Sequence, residues 1–277
     1  MSAPRRLIVL SRKGFDSTAG GCASPILPDG TMVSLPIPDG RSPIRYRDIT
    51  VHGHDVGRLV ADLSGGACTG TSRAHLDPDL VASAFPRARG WRPLFGQAGG
   101  EQTVLARAGV GTGDVFLFFG WFRRVERARG RWRFVAGAPD LHVLWGWMEV
   151  ERVLHLGASG EAARPSVPTW ARYHPHVAGG PRTSNTLYVA RAAGVFARYD
   201  DRLRLTREGA PRSRWSLPGW FEPRGRPPLG YHHAPSRWRR AGDRVHLQSV
   251  ARGQEFVLDT RAYPEAGPWL RGLLASA

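Results

Sequence analysis

A run of apolar and aromatic stretches, separated by short Gly- and Arg-rich turns, fills the middle of the chain and restricts its fold more than any other feature. These stretches lie at 114–119, 131–135 and 142–150, and each is rich in Val, Phe or Trp. Residues of these types in short segments between turns are typical of antiparallel strands. The sequence therefore predicts an antiparallel meander or a small β-barrel in this region.

Less regular sequence flanks the strand-rich region on both sides. Residues 6–10 read as a buried strand, residues 14–40 as a long turn-rich loop, and residues 55–63 and 78–85 as short helices, the second with Asp77 as its N-cap. Later in the chain we predict strands at 186–190, 203–206, 245–250 and 255–258 and a final helix at 269–274.

These elements together predict one α+β domain over residues 1–277, with a mostly antiparallel sheet or small β-barrel and a few flanking helices. A soft internal boundary near residue 105 separates a loop-rich part, 1–105, from a strand-rich part, 106–277. Long loops without regular structure of their own are usually functional. We therefore expect the loop-rich part to carry the site.

The charge of the chain favours a polyanionic partner. Lys and Arg number 39 against 23 Asp and Glu, which gives a formal net charge of +16. Arginines that neutralise phosphates release counterions and so strengthen binding to nucleic acid. We expect a nucleic acid, DNA rather than RNA, or a nucleotide as the partner. A charge that serves solubility alone is the alternative.

Cysteine content and hydropathy indicate the compartment. Cys22 and Cys68 are too few for a disulfide framework, and they lack the spacing of a zinc or redox pair. The sequence shows no secretory signal pattern and no apolar stretch as long as a membrane span. We therefore expect a cytoplasmic protein that has no membrane partner.

One lysine stands out among the cations. Lys13 is the only lysine beside 38 arginines, and it follows directly on the predicted first strand. An arginine stays protonated, whereas a lysine amine that loses its proton serves as base or nucleophile. Asp16, three residues further on, would tune that amine, so Lys13 and Asp16 are the candidate catalytic residues. The alternatives are phosphate anchoring by Ser11, Arg12 and Lys13, a turn held by the Asp16 side chain, and a surface lysine that survived by chance or packs through its methylene stem.

Uncharged amides and histidines supply further candidates for substrate binding. Amide side chains read the edge of a base through paired hydrogen bonds, although surface or turn roles are open to each of them. With polar and aromatic neighbours they form the predicted substrate-binding set: Ser11, Arg12, Ser17, Ser24, Gln97, Gln102, Trp121, His174, His176, Asn185, Gln254 and Glu255.

Metal and cofactor motifs are weak. His75, Asp77 and Asp79 alternate, as do His174 and His176, and such alternation can place ligands on one side of an extended segment. A proline interrupts each motif, and Asp77 is already explained as a helix cap, so we expect no metal. The chain has neither the glycine fingerprint of a dinucleotide site nor a P-loop, which argues against NAD and ATP and leaves the cofactor unknown.

Tryptophan alternates with arginine at several places in the chain. Aromatic faces stack on unpaired bases while neighbouring guanidinium groups bind phosphates, the combination that a binder of single strands or flipped-out bases needs. Core packing is the competing explanation, because tryptophan at strand spacing also fills barrels. The predicted nucleic-acid contacts are Arg123, Arg124, Trp215, Arg237, Trp238 and Arg239.

Motifs along nearly the whole chain resemble one known family. They are SRKGFDS at 11–17, GGCASPI at 20–26, DGTMVSLPIP at 29–38, HLDPDL at 75–80, FGQ at 95–97, HPH at 174–176, NTLYVA at 185–190 and RGQEFV at 252–257. Together they resemble the nucleotide modification associated domain 3 family. This resemblance implies an association with enzymes that modify or process bases in nucleic acids, and it assigns no role to individual residues. Separately, residues 113–155 resemble the small PUA-like β-barrels that bind flipped-out modified bases.

These observations predict an enzyme that acts on a nucleobase or nucleotide, most naturally within DNA, with Lys13 and Asp16 at the reaction centre. The reaction classes that fit are glycosidic-bond chemistry through the lysine, transfer of a group onto an already modified base, and hydrolysis of a modified nucleotide. One alternative is a non-catalytic reader that flips out a modified base and uses Lys13 only to touch phosphate. A further alternative is an enzyme that acts on a free nucleoside or nucleotide-sugar.

The net charge generates a testable prediction. Binding of the chain to DNA should weaken steeply as salt rises, because each phosphate contact releases counterions and adds about 0.9 to the log–log slope. Fluorescence anisotropy of a labelled oligonucleotide at several salt concentrations measures that slope. A flat salt response, or no binding at low salt, would remove nucleic acid from the partners and favour a free nucleoside.

Overall fold

A computed structural model describes residues 6–157 and 166–275. Within these residues the strands are β1 Leu7–Arg12, β2 Ser24–Ile26, β3 Thr50–Val51, β4 His54–Asp55, β5 Leu94–Gln97, β6 Val115–Ala128, β7 Arg131–Phe134, β8 Leu141–Gly157, β9 Asn185–Val195, β10 Arg214–Pro218, β11 Trp238–Ala241, β12 Arg244–Gln248 and β13 Glu255–Asp259. The helices are α1 Val56–Leu63, α2 Gly99–Ala108, α3 Pro175–Ala178 and α4 Ala266–Leu274. Of the helices in the described ranges, none has the length and apolar character needed to span a membrane.

Eight strands form one curled sheet that has the shape of half a barrel. Its order is β13-β1-β6-β8-β9-β5, and β2 and β7 pair with β6 outside this path. The predicted α+β class is confirmed, and the predicted mostly antiparallel sheet or small β-barrel takes the form of a curled half-barrel. The sheet is nevertheless mixed, because β1 and β2 both run parallel to β6. Those two strands come from the first part of the chain, which the predicted meander did not include.

The aromatic start of β6 forms the centre of the core. Phe116 and Phe118 contact Phe95 of β5, with ring centroids 4.9 and 5.2 Å apart. Phe119 lies on the opposite face of the strand and contacts Trp215 at 5.1 Å. A continuous apolar run, rather than an alternating one, is what a strand with both faces covered requires. This segment therefore places β6 in the interior of the protein.

Curling brings the two edge strands of the main sheet together at one end. Gln97 ends β5 and Glu255 begins β13, which are the first and last strands in the sheet order. The Gln97 side chain donates a hydrogen bond to Glu255 Oε1 at 2.5 Å. Glu101 of α2 accepts from the backbone N–H groups of Gln254 and Glu255 at 3.0 and 3.2 Å. Among the described residues, no backbone ladder pairs β5 with β13, and side-chain hydrogen bonds connect these two edges instead.

Helix α1 organises the loop-rich first part of the chain. The Asp55 side chain caps it by accepting from the Arg58 N–H at 3.1 Å. The apolar face of the helix is buried in a second core cluster together with side chains from the loop that follows β1. The helices predicted at 55–63 and 269–274 are confirmed as α1 and α4.

The helix predicted over 78–85 is wrong. Residues 82–84 form one 3-10 turn, and the backbone of Asp79 instead pairs with that of Leu94 through two hydrogen bonds of 2.8 and 3.0 Å. Extension of the chain towards β5 removes the helix that Asp77 was expected to cap. The Asp77 carboxylate is therefore available for other partners, which belong to the site described below.

Most of the later strands were predicted, but two elements beside the site were not. The segments 186–190, 245–250 and 255–258 correspond to β9, β12 and β13, whereas 203–206 forms only isolated bridges after a 3-10 turn. Strand β5 is four residues long, and α2 begins with two glycines, which are poor helix formers. Neither element has a periodicity that sequence analysis detects.

A separate three-stranded sheet, β10-β12-β11, carries several predicted nucleic-acid contacts. Trp215 of β10 is completely buried, and its indole N–H donates to His142 Nδ1 at 3.0 Å. A base cannot stack on a ring in this position, so Trp215 is a core residue and not a nucleic-acid contact. Trp238 of β11 is partly buried and donates to the His232 carbonyl at 2.8 Å.

The different burial of the two tryptophans predicts different stabilities for their variants. Trp215→Ala should lower the free energy of unfolding by about 3–5 kcal/mol, because it leaves a large cavity and an unpaired His142. Trp238→Ala, the matched control in the same sheet, should lower it by about 1 kcal/mol. Urea denaturation measures both values. Equal losses would contradict the placement of Trp215 in the core.

Candidate active site

A cavity of about 400 Å³ opens at the end of the half-barrel where the two edge strands meet. Its walls come from the ends of β1 and β5, the residue before β13, and the loops at 37–41 and 75–77. This volume suits a ligand of nucleotide size. Charged and polar side chains form much of the lining, among them Lys13, Asp39 and Arg182. We refer to this cavity as the cleft.

Glu255 is the centre of the hydrogen bonding behind the β1 wall of the cleft. Its side chain is fully buried, and Oε1 accepts from Ser11 Oγ at 3.0 Å, Lys13 Nζ at 2.8 Å and Gln97 Nε2 at 2.5 Å. Within the described residues, Glu255 Oε2 has no hydrogen-bond partner. A buried carboxylate is stable only when such donors replace water. The three donors therefore hold Oε1 in a fixed position at the start of β13.

Lys13 lies between this carboxylate and the cleft. Its side chain is 9% exposed, and the ammonium also donates to Gln254 Oε1 at 3.3 Å and lies 4.9 Å from the centre of the Phe95 ring. The path of the backbone at Lys13 depends on Gly120 in the neighbouring strand β6, because a Cβ there would lie 2.7 Å from the Lys13 carbonyl oxygen. The only lysine of the chain is thus a nearly buried cation at the wall of a concave site.

Asp16 lines the same cleft but has a different hydrogen-bonding role. Its Oδ1 accepts from the N–H groups of Thr18 and Ala19 and from the Thr18 hydroxyl, each at 2.7 Å. These bonds hold the turn that follows Lys13, in the manner usual for an aspartate in a tight turn. The charge partner of Lys13 in the structure is Glu255.

A second group of side chains surrounds Asp77. Its Oδ1 accepts from the Gly96 N–H at 2.8 Å and lies 3.3 Å from His174 Nε2. Its Oδ2 lies 3.6 Å from His75 Nε2 and 3.5 Å from His176 Nε2. The close approach of α3 to β5 requires glycine at position 96, because a Cβ there would lie 2.4 Å from the His176 ring.

Burial and charge set the protonation of this second group. Burial alone would raise the pKa of Asp77, but the neighbouring imidazoles hold that pKa well below its usual value. Burial lowers the pKa of His176 to about 3, so this imidazole is neutral at physiological pH. Burial acts on His75 in the same direction, but the carboxylates of Asp39 and Asp77 outweigh it and raise the pKa of His75.

The predicted substrate-binding residues fall into three sets. Arg12, Gln97, His176 and Gln254 line the cleft together with Lys13 and Asp16. Ser11, His174, Asn185 and Glu255 are buried behind the lining and hold it in place. Ser17, Ser24, Gln102 and Trp121 do not line the cleft.

The residues of the third set have other local roles. Ser24 accepts from the Leu35 N–H, Gln102 accepts from the Tyr188 hydroxyl, and Trp121 donates to Asp140. Ser17 is exposed in the turn after Lys13. Hydrogen bonds of this kind stabilise the fold, so the structure gives no support to substrate binding by these four residues.

Three charged residues that line the cleft, Asp39, Arg41 and Arg182, were not predicted from the sequence. Asp39 accepts from His75 Nδ1 and from Arg182, both at 2.9 Å, and Arg41 lies beside it with its side chain 56% exposed. Asp39 is part of a Pro-Asp-Gly segment that reads as a turn. Its partners are 36 and 143 residues away along the chain, and no local pattern marks such contacts.

A groove of about 340 Å³ lies beside the small sheet, and we call it the basic groove. The predicted contacts Arg237 and Arg239 line it together with Arg207, Arg214 and the buried Trp215, whereas Trp238 does not. Arg123 and Arg124 do not line this groove, and their guanidinium groups lie 5.5 and 5.4 Å from the centres of neighbouring aromatic rings.

The family model of nucleotide modification associated domain 3 matches residues 7–259. The chain belongs to this family. The matched segment runs from β1 to β13 and so includes every residue that lines the cleft. Membership indicates a role in nucleotide modification, with a nucleotide or nucleic acid as the partner. No curated protein and no solved structure matches the chain.

The buried ion pair in the cleft predicts a marked effect on stability. Glu255→Gln should lower the free energy of unfolding by about 3–5 kcal/mol, because it leaves the Lys13 ammonium buried without a countercharge. Adding Lys13→Met should restore part of that loss, since the unpaired charge is then gone. Thermal and urea unfolding measure both variants.

An exposed ion pair supplies the matched control for this prediction. Arg133 and Glu126 lie on β7 and β6, with side chains 65% and 43% exposed and atoms 2.8 Å apart. Glu126→Gln should change stability by at most about 1 kcal/mol. If Glu255→Gln cost no more than this control, the placement of Glu255 as a buried countercharge would be wrong.

Proposed function

We propose that this chain is an enzyme that modifies or processes a nucleobase or nucleotide bound in the cleft, with Lys13 as the reactive amine. The observation that carries the proposal is the ion pair of Lys13 with Glu255, nearly buried at the wall of a cavity of nucleotide size. Strongly desolvated ionisable groups in a concave site are characteristic of catalytic centres. The family of the chain supplies the class of substrate.

The pair gives Lys13 a route to its neutral form. Transfer of one proton from Lys13 Nζ to Glu255 Oε1, across 2.8 Å, yields an amine and a carboxylic acid without net change in charge. The amine then acts as base or nucleophile on the bound unit. Asp16 lines the same cleft and is proposed to accept a hydrogen bond from the substrate.

The distribution of positive charge supports DNA as the carrier of the substrate base. The connection 249–254 runs from β12 of the small sheet to the wall of the cleft. Arg12 holds this connection by donating to the carbonyls of Ala251 and Gly253 at 3.0 and 2.6 Å. We propose that a strand binds by its phosphates along the basic groove while an unpaired base of the same strand enters the cleft.

A second candidate function, the non-catalytic reader, is favoured by one observation. The Lys13 ammonium already has two acceptors, Glu255 and Gln254, and so is held as a fixed cation in the unbound protein. A fixed cation suits recognition of an anionic or carbonyl group without chemistry. The two functions differ in whether a product forms.

The test compares product formation by three forms of the protein. Wild type, Lys13→Arg and Arg131→Ala are each incubated with mixed deoxynucleotides, a single-stranded oligonucleotide or duplex DNA, together with the small-molecule fraction of a cell extract as a source of co-substrates. Nucleosides and free bases are then identified by mass spectrometry. Arg131 is exposed on β7 and serves as the matched control.

Wild type and Arg131→Ala should form the same product, and Lys13→Arg should form none while keeping its fold and its affinity within a few-fold. The reason is that a guanidinium preserves the charge but does not release its proton at accessible pH. Full turnover by Lys13→Arg would exclude Lys13 as the reactive amine. Binding without product by all three forms would favour the reader.

A further inference from the structure

Two imidazole nitrogens and one carboxylate oxygen converge at the wall of the cleft. The ligand atoms of His75, Asp77 and His176 lie within 4.8 Å of one another, and all three residues are buried while lining the cleft. Asp77 Oδ2 lies 3.6 Å from His75 Nε2 and 3.5 Å from His176 Nε2. A set of two imidazoles and one carboxylate is a common ligand set for divalent transition metals.

These distances fit a shared ion better than direct hydrogen bonds. Hydrogen bonds between nitrogen and oxygen usually span about 2.7–3.2 Å, so both contacts with Asp77 Oδ2 are too long. Ligands bound at about 2.0–2.1 Å in tetrahedral geometry lie about 3.3–3.4 Å from each other. Contraction of a few tenths of an ångström around an ion would bring each imidazole nitrogen to that spacing from Asp77 Oδ2.

The hydrogen bonds on the far sides of the rings leave both Nε2 atoms available as ligands. His75 Nδ1 lies 2.9 Å from Asp39 Oδ2, an acceptor, so Nδ1 carries the proton. Asn185 donates its amide to the His176 carbonyl at 2.7 Å, which leaves its Oδ1 to accept from His176 Nδ1, also at 2.7 Å. In their neutral forms both rings therefore present an unprotonated Nε2 to Asp77. Carboxylate and amide partners orient metal-bound histidines in this way.

The Asp77 carboxylate, like the two imidazole rings, is held in one orientation. Its Oδ1 accepts from the Gly96 N–H at 2.8 Å and faces His174 Nε2 at 3.3 Å, so that Oδ2 is the oxygen left for the two other imidazoles. The prolines that argued against a metal in the sequence do not prevent this convergence, because the chain is extended after Asp77 and His176 lies in the short helix α3.

We propose that His75, Asp77 and His176 form a binding site for one divalent first-row transition ion, such as Fe²⁺, Co²⁺ or Zn²⁺. Two imidazole ligands favour these ions over Mg²⁺ and Ca²⁺, which prefer oxygen. Three protein ligands leave coordination positions open to a substrate oxygen or water on the cleft side. That role in a reaction rests on the proposed function, whereas binding of the ion does not.

Binding is tested with Co²⁺, whose visible absorption reports its ligands. The full chain is freed of metal with a chelator and titrated, and the bound ion is counted after dialysis. Wild type should bind about one Co²⁺ per chain, and Zn²⁺ should displace it. His75→Ala and His176→Ala should abolish this binding. His233→Ala removes an exposed histidine outside the site and should leave binding unchanged.

Asp39→Asn tests the site without removing a ligand. It replaces the carboxylate that accepts from His75 Nδ1 with a neutral, weaker acceptor and should weaken Co²⁺ binding by about 10–100-fold. Circular dichroism reports the fold of every variant. If the histidine variants fail to fold, the comparison of Asp39→Asn with wild type decides whether the site binds the ion. Failure of folded wild type to bind Co²⁺ or Zn²⁺, or equal binding by wild type and these variants, would overturn the proposal. Either result leaves the Lys13→Arg test of product formation unaffected.

Discussion

One carboxylate oxygen, Glu255 Oε1, holds the cleft together. It accepts from Ser11 at the end of β1, from Lys13 in the turn that follows, and from Gln97 at the end of β5. Because β5 and β13 are opposite edges of the main sheet, these bonds fix the curl of the sheet as well as the site. Glu101 accepts hydrogen bonds from the backbone N–H groups at the start of β13, which would be unpaired at an open sheet edge.

Adjacent residues of β5 connect the two groups of polar side chains in the cleft. Gly96 donates its N–H to Asp77, and Gln97 donates its amide to Glu255. The imidazole–carboxylate group and the lysine–carboxylate group are therefore held by consecutive residues on one short strand. A shift in the register of β5 would disturb both groups together, since neighbouring residues point to opposite faces.

The sequence predicted those features that depend on local patterns. Asp55 was recognised as the start of a helix, the apolar run of β6 as a strand, and the family from its motifs. Features fixed by distant contacts were not predictable in this way. Asp77 has the position of a helix cap in the sequence, but its partners in the structure come from 19 and 97 residues away, in β5 and immediately before α3. Trp215 follows an arginine and was therefore predicted to stack on a base, but Phe119 packs against it in the core. Lys13 was singled out as the one lysine of the chain and lines the cleft, but its partner Glu255 lies 242 residues further along the chain.

That separation has a consequence for synthesis of the protein. The ribosome makes Lys13 early and Glu255 much later, and a growing chain contains the lysine for most of its synthesis without the carboxylate that binds it. Contacts between residues so distant in sequence form late, because closing the intervening loop is entropically unfavourable. The cleft therefore assembles only after β13 has emerged and joined β1. Nascent chains that stop short of β13 lack the complete site, so premature termination yields fragments in which Lys13 has no Glu255.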